Sequence, residues 1–307
     1  RKDSNPIMIQ PPFLKQGDKV AIVSTARKIT KEELSFAVDK LKEWGLDIVF
    51  GEHLFEEHNQ FAGNDEMRTS DFQKALDNDS VKAIICARGG YGTVRIVDAL
   101  DFSKFVKTPK WVVGYSDVTV MHSHISNNLG IQTIHGTMPI NFETNTQEAL
   151  SSLQKALFGK QLTYEFPPHK LNRKGSCEGE LIGGNLSILY SLIGSPSDID
   201  TKGKILFMED LDEFLYHIDR MMQNLKRSGK LSNLAGLIVG AMSDMKDNAV
   251  PFGQTAEEII LEAVSEFDYP VCFGFPIGHI DDNRAIIVNK RANLVVGSSV
   301  KLIYEKQ

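Results

Sequence analysis

Strand and helix signals alternate along residues 19–135, and that alternation limits the fold of this chain more than any other feature. Residues 19–24 (KVAIVS) are an apolar run of strand length. Thr30-Lys31-Glu32-Glu33 matches a capping box, in which a threonine hydroxyl and a glutamate three residues on satisfy free N–H groups of a new helix. That helix is predicted to end near Trp44-Gly45, and residues 46–50 follow as a second strand. Residues 64–76 predict a helix, 83–87 (AIICA) a third strand, 111–114 a fourth and 132–135 a fifth, with helical patterning before and after the fourth. Strands alternating with helices imply a parallel, doubly wound sheet. Ligands of such sheets bind at the carboxyl ends of the strands. Two glycine-bearing segments fall there: Arg88-Gly89-Gly90-Tyr91-Gly92 and Gly114-Tyr115-Ser116-Asp117.

The pattern changes after residue 155. Residues 156–178 are polar and aperiodic, with Pro167-Pro168 and Gly175, and read as an interdomain linker. The expected organisation is an N-terminal α/β domain over 1–155 and a C-terminal mixed α/β domain over 179–307. In the second, 204–208, 237–239 and 271–273 predict strands, and 215–227 and 255–264 predict helices. Residues 286–288, 294–296 and 301–304 predict short strands of a small antiparallel piece.

Composition narrows the class. At 307 residues, with 42% hydrophobic and 24% charged content, the chain reads as globular. A net charge of −6 argues against nucleic acid and anionic membranes as partners. No apolar run approaches the roughly 20 residues needed to span a bilayer. The first residue is Arg1 rather than Met, so a trimmed N-terminus is expected. Three cysteines, Cys86, Cys177 and Cys272, do not make a disulfide framework, and a reducing compartment is the default.

The chemistry centres on Ser116. A serine at a sharp strand-to-helix turn is where α/β hydrolases expose a nucleophile. Asp117 beside it is a natural acidic cap for the new helix. A serine nucleophile needs a base, and the base needs an orienting group. His135 and His279 both lie at strand ends next to glycine, and the residues alone do not choose between them. Glu209 follows the apolar run Ile205-Leu206-Phe207-Met208, where a carboxylate is costly unless paired. It is the orienting acid of a triad, a partly exposed strand end or half of a structural ion pair. The Arg88 loop offers backbone N–H groups that approach a ligand closely. It lacks the spacing of a dinucleotide or P-loop motif.

Taken in order, these segments resemble the LD-carboxypeptidase family of serine peptidases, which includes murein tetrapeptide carboxypeptidases and microcin C self-immunity proteins. The resemblance runs from residues 12–24 through Phe61-Ala62-Gly63 with Arg68, the Arg88 loop and the Ser116 turn. It continues through His135-Gly136, residues 179–186 (GELIGGNL), 206–210 (LFMED) and Pro276-Ile277-Gly278-His279. It implies Ser116 as nucleophile, His279 as base and Glu209 as its orienter, in a cleft between the two domains. The backbone N–H groups of Gly90 and Asp117 would form the oxyanion hole. The implied reaction releases the terminal D-alanine of a muropeptide tetrapeptide through an acyl-enzyme. Arg88 is the first candidate to receive the D-alanine carboxylate, with Tyr91 as a second ligand contact. The resemblance further implies no metal or other cofactor, a homodimer and a cytoplasmic location. The alternative within the family is hydrolysis of an aminoacyl-adenylate-like toxin. That reaction asks for an aromatic platform, whereas Trp44 and Trp111 lie in or beside predicted core elements.

Overall fold

The computed structural model describes residues 8–306. Its first sheet holds β1 (Lys19–Val23), β2 (Asp47–Phe50), β3 (Val81–Cys86), β4 (Trp111–Gly114) and β5 (Thr133–His135). These lie parallel in the order β2-β1-β3-β4-β5. β4 is buried along its whole length and β3 at all but one residue, as strands covered on both faces should be. The helices of this half are α1 (Lys31–Glu43), α2 (Asp65–Asp77), α3 (Ser103–Lys107), α4 (Thr119–Leu129) and α5 (Gln147–Phe158). The Thr30/Glu33 capping box opens α1, and Asn64 caps α2. Strand order reverses between β1 and β3, which opens a crevice at their carboxyl ends.

The remaining strands are β6 (Thr163–Phe166), β7 (Gly175–Asn185), β8 (Ile205–Leu211), β9 (Gly236–Ser243), β10 (Val271–Cys272), β11 (Ile286–Val288), β12 (Arg291–Val296) and β13 (Val300–Tyr304). All but β11 form a second, mixed sheet in the order β10-β9-β8-β7-β12-β13-β6. β7 to β10 run parallel, and β12, β13 and β6 continue antiparallel from β7. Helices α6 (Leu186–Leu192), α7 (Leu215–Arg227) and α8 (Ala256–Ala263) accompany the parallel part. α7 buries Ile218, Met221, Met222 and Leu225, the stripe expected of a helix lying on a sheet.

Two expectations change. The span 156–178 is not simply a linker: α5 runs to Phe158, β6 pairs with β13, and β7 begins at Gly175. Tyr164 points inward between exposed neighbours, so β6 is a short edge strand whose alternation is too brief to read, and Pro167 follows it. Residues 286–288 also leave the antiparallel piece. As β11 they pair with β5 of the first sheet, Ile286 opposite His135 and Val288 opposite Thr133. The reason is burial. β12 and β13 alternate buried and less buried residues, whereas all three residues of β11 are buried and need cover on both faces. One apolar cluster therefore spans both sheets, taking in Ile134, Phe142 and Ile287 together with Leu181, Phe207 and Ile277. Among the described residues no helix is long and apolar enough to cross a membrane.

Candidate active site

Ser116 stands at the junction of β4 and a 3-10 turn (Ser116–Val118) that leads directly into α4. Its φ is +60°, a left-handed conformation that costs a non-glycine residue about 1–3 kcal/mol. The surrounding backbone holds it there. The Gly114 carbonyl accepts hydrogen bonds from Gly136 N–H (3.1 Å) and His122 Nε2 (2.7 Å). Because a carbonyl only accepts, His122 carries its proton on Nε2, and its Nδ1 accepts from the Thr133 hydroxyl at 2.7 Å. Burial pushes the His122 pKa down to about 4, so it serves as a neutral strut. Gly114 cannot be larger, since a Cβ there would lie 2.9 Å from both Val118 methyls.

The second sheet supplies an acid, and the loop between β10 and β11 supplies an imidazole. Glu209, on β8, is fully buried, and its Oε2 lies 2.7 Å from His279 Nδ1. The other ring nitrogen, Nε2, lies 3.1 Å from Ser116 Oγ. A carboxylate accepts, so Nδ1 carries the proton and Nε2 is left to accept from the serine hydroxyl. Burial works against a charge on His279. The hydrogen bond and charge of Glu209, followed by Asp210 and Asp212, outweigh it and raise the pKa above the ordinary 6.5. The close approach depends on Gly278, where a Cβ would fall 2.8 Å from that of Glu209. Gly278 N–H donates to Asn283 Oδ1 (2.9 Å), and the Ser243 hydroxyl donates to the His279 carbonyl (3.0 Å), fixing the loop.

Asn185, at the end of β7, joins the two halves. Its Nδ2 donates to Glu209 Oε1 (3.3 Å) and Asp210 Oδ1 (3.1 Å), and its backbone N–H donates to Thr119 Oγ1 (3.0 Å). Thr119 is three residues beyond the serine. The glycines before Asn185 let strand and helix touch: a Cβ on Gly184 would meet Thr119 at 2.5 Å, and one on Gly183 would sit 1.8 Å from the Phe207 carbonyl oxygen. Asp210 is buried beside Glu209, and burial, then the neighbouring Glu209 charge, push its pKa up to about 7.

The Arg88 loop closes over the serine. A Cβ on Gly89 would be 3.3 Å from Ser116 Cβ and 3.5 Å from Oγ. The Gly89 carbonyl accepts from Arg27 N–H at 3.3 Å, so the N–H of Gly90, in the same planar trans peptide, points away from Arg27. The Asp117 N–H lies in the first turn of its helix, where an N–H has no partner within the helix. The Asp117 carboxylate, buried, accepts from Thr93 N–H at 2.9 Å and so braces the far end of the glycine loop. Arg68, also buried, donates to the carbonyls of Thr25 (3.0 Å), Gly63 (2.9 Å) and Gly92 (3.4 Å).

Of the candidate residues, Ser116, His279 and Glu209 come together in one hydrogen-bonded line, with Gly90 and Asp117 in the backbone around the serine. His135 does not join them. It is fully buried against Phe207 and Tyr115, and burial holds its pKa well below 6.5. Arg88 is turned to Lys28 O (3.3 Å) and Glu33 (3.7 Å) instead of standing free. Tyr91 is half-exposed with its ring 6.3 Å from that of Phe61. Sequence reasoning gave no site role to Asn185, although residues 179–186 belong to the resemblance, and read His122 as a surface or packing residue of the helix after Ser116. The Gly183-Gly184-Asn185 run carried a signal, two glycines ending an apolar strand, whereas nothing local marked His122.

Known proteins place the chain in a family. Residues 20–136 match the family model for the LD-carboxypeptidase N-terminal domain, and residues 178–294 match that for the C-terminal domain. The chain is 36% identical over 303 residues to a probable murein peptide carboxypeptidase of Bacillus subtilis, covering 96% of this chain and 94% of that one. It is 29% identical to the murein tetrapeptide carboxypeptidase of Pseudomonas aeruginosa, over 90% of this chain and 92% of that one. The crystal structure of a muramoyltetrapeptide carboxypeptidase from Oxalobacter formigenes superimposes with a TM-score of 0.86 at 29% identity, covering 94% and 99% of the two chains. A microcin C7 self-immunity protein in complex with aspartyl sulfamoyl adenosine shares the fold, with a TM-score of 0.86 at 21% identity over 98% and 99% of the chains. With both domain models matched and a relative aligned over nearly its full length, the chain belongs to the LD-carboxypeptidase family.

Proposed function

We propose that this protein is a serine LD-carboxypeptidase that removes the terminal D-alanine from murein tetrapeptides. The observation that carries the reading is the line Ser116 Oγ–His279 Nε2–Glu209, at 3.1 and 2.7 Å, drawn from two different sheets. His279 takes the hydroxyl proton as Ser116 attacks the scissile carbonyl, and Glu209 stabilises the imidazolium that forms. Negative charge on the carbonyl oxygen develops toward the N–H groups of Gly90 and Asp117, and each such donor is worth about 10²–10³ in rate. His279 then protonates the departing D-alanine amine. In the second half, His279 deprotonates water for attack on the acyl-enzyme, and the serine is restored.

The substrate class rests on the relatives named for murein peptides. A toxin bearing an adenosine, the alternative, asks for an accessible aromatic face. Trp111 is fully buried and cannot offer one, and Trp44 is partly buried against Phe142. The test is release of D-alanine from a muropeptide tetrapeptide, with an aminoacyl sulfamoyl or phosphoramidate adenosine assayed in parallel. Ser116→Ala is expected to lower release by about 10⁴-fold or more with an unchanged melting temperature. Undiminished release would remove the serine from the mechanism, and turnover of the adenosine compound alone would replace the substrate.

A further inference from the structure

A carboxypeptidase must recognise a free carboxylate, and four guanidinium groups surround the glycine loop that lies against Ser116. Three are engaged with acids. Arg68 and Arg95 both hold Asp65, each at 2.9 Å, and Arg88 lies 3.7 Å from Glu33 while donating to the Lys28 carbonyl. Arg27 is exposed and has no carboxylate partner among the described residues.

Its place is fixed by backbone. Residues 26–28 pair with 60–62 in a short antiparallel ribbon: Ala62 N–H donates to the Ala26 carbonyl, and Lys28 N–H to that of Gln60, both at 3.0 Å. Arg27 sits opposite Phe61 in that ribbon, and its own N–H holds the Gly89 carbonyl. The arginine stem then lies flat along Gly90. A Cβ built on Gly90 would meet Arg27 Cβ at 2.8 Å, Cδ at 3.4 Å and Cγ at 3.6 Å. Of two consecutive glycines, Gly89 therefore faces the serine and Gly90 faces the arginine. This is the carboxyl end of β1 beside that of β3, the point at which the strand order of the sheet reverses and ligands of such sheets bind.

From this juxtaposition we propose that Arg27, rather than Arg88, receives the carboxylate of the departing residue and so selects substrates with a free C-terminus. The assignment rests on the carboxypeptidase reading above. The arginine stem runs along Gly90, the residue next to the glycine that lies against Ser116. The C-terminal carboxylate lies two bonds beyond the scissile nitrogen. A planar guanidinium matches a carboxylate with two parallel hydrogen bonds. Arg88 behind it adds positive potential; burial first, then the Arg27 charge, lower its own pKa, which places the two cations within electrostatic reach. Gly90 is needed at this spot for its φ of +113° and for the space that the arginine stem fills.

The test compares a tetrapeptide ending in D-alanine with the same peptide ending in D-alaninamide, for the wild type, Arg27→Met and Arg27→Lys. Wild type is expected to favour the free acid in kcat/KM. Arg27→Met should lose between about 10-fold and 10²-fold on the acid, the range for hydrogen bonds to a charged group, and change little on the amide. Arg27→Lys should recover part of that loss, again on the acid alone. Equal losses on both substrates would make Arg27 a mere brace for Gly89 and overturn the assignment, as would no loss on either. A wild type that cleaves neither peptide would bring down the carboxypeptidase reading itself, and the assignment with it.

Discussion

The two sheets hold their parts of the site by different means. On the first, the backbone of Ser116 is fixed by neutral groups (a strand that stops at Gly114, a carbonyl taken up by backbone and by an uncharged His122, and a helix that begins at once), while the Asp117 carboxylate braces the glycine loop above it. On the second, Glu209 and His279 are held by charge in a buried setting, with Asp210 alongside and Asn185 donating to both carboxylates. On the proposed mechanism the first half sets where the nucleophile stands, and the second sets where its proton goes. The division teaches that damage to each should have a different signature. Changes near Ser116 should alter rate at every pH, and changes near Glu209 should alter the pH profile as well.

The largest expected effect on the second side is from Glu209→Gln. It keeps the shape of the side chain but loses the charge that stabilises the imidazolium, and kcat should fall by roughly 10³–10⁴. The acid limb of kcat/KM should move with it. In the wild type that limb lies above pH 6.5, since the raised pKa of His279 keeps it protonated, and unable to accept, up to that higher pH. Without Glu209 the limb should fall to lower pH. A limb that stays put would separate His279 from Glu209.

Asp117→Ala probes the other side. Removing the carboxylate frees Thr93 N–H and the glycine loop, and kcat should drop by about 10-fold to 10² at all pH values, less than the loss of a whole oxyanion donor. Asp117→Asn keeps an acceptor oxygen and should recover most of it. A pH-dependent loss would break the proposed division.

The smallest effect belongs to Asp210→Asn. The charge of Asp210 helps to raise the His279 pKa, so its removal should shift the acid limb modestly downward with little change in the plateau. An upward shift would contradict the electrostatic account.

How legible all this was in the sequence follows the same division. The first sheet reads almost directly, because each of its parallel strands is a local apolar run followed by a local helix. Ser116 stands out for the same reason: strand, turn and helix are contiguous. Glu209 was visible as an acid ending a buried run. His279 and His135 looked alike, because both end strands next to glycine. What separates them is long-range: β5 lies between β4 and β11, which buries His135, while the loop of His279 leans on Glu209 seventy residues away in sequence. The capture of β11 by the first sheet and the pairing of Arg88 with Glu33 have the same character. Neither leaves a local trace. The apolar cluster shared by the two sheets bears on motion too, since an interface of that kind restrains the interdomain closure that a two-domain site would otherwise permit.

The central claim is that Ser116 is a nucleophile activated across the two sheets, and covalent labelling tests it most directly. A fluorophosphonate probe, followed by peptide mass spectrometry, should place one adduct on Ser116. The labelling rate should fall steeply in Glu209→Gln and His279→Ala, although neither residue carries the label. Labelling at another residue, or labelling of Ser116 at an undiminished rate in both variants, would contradict it.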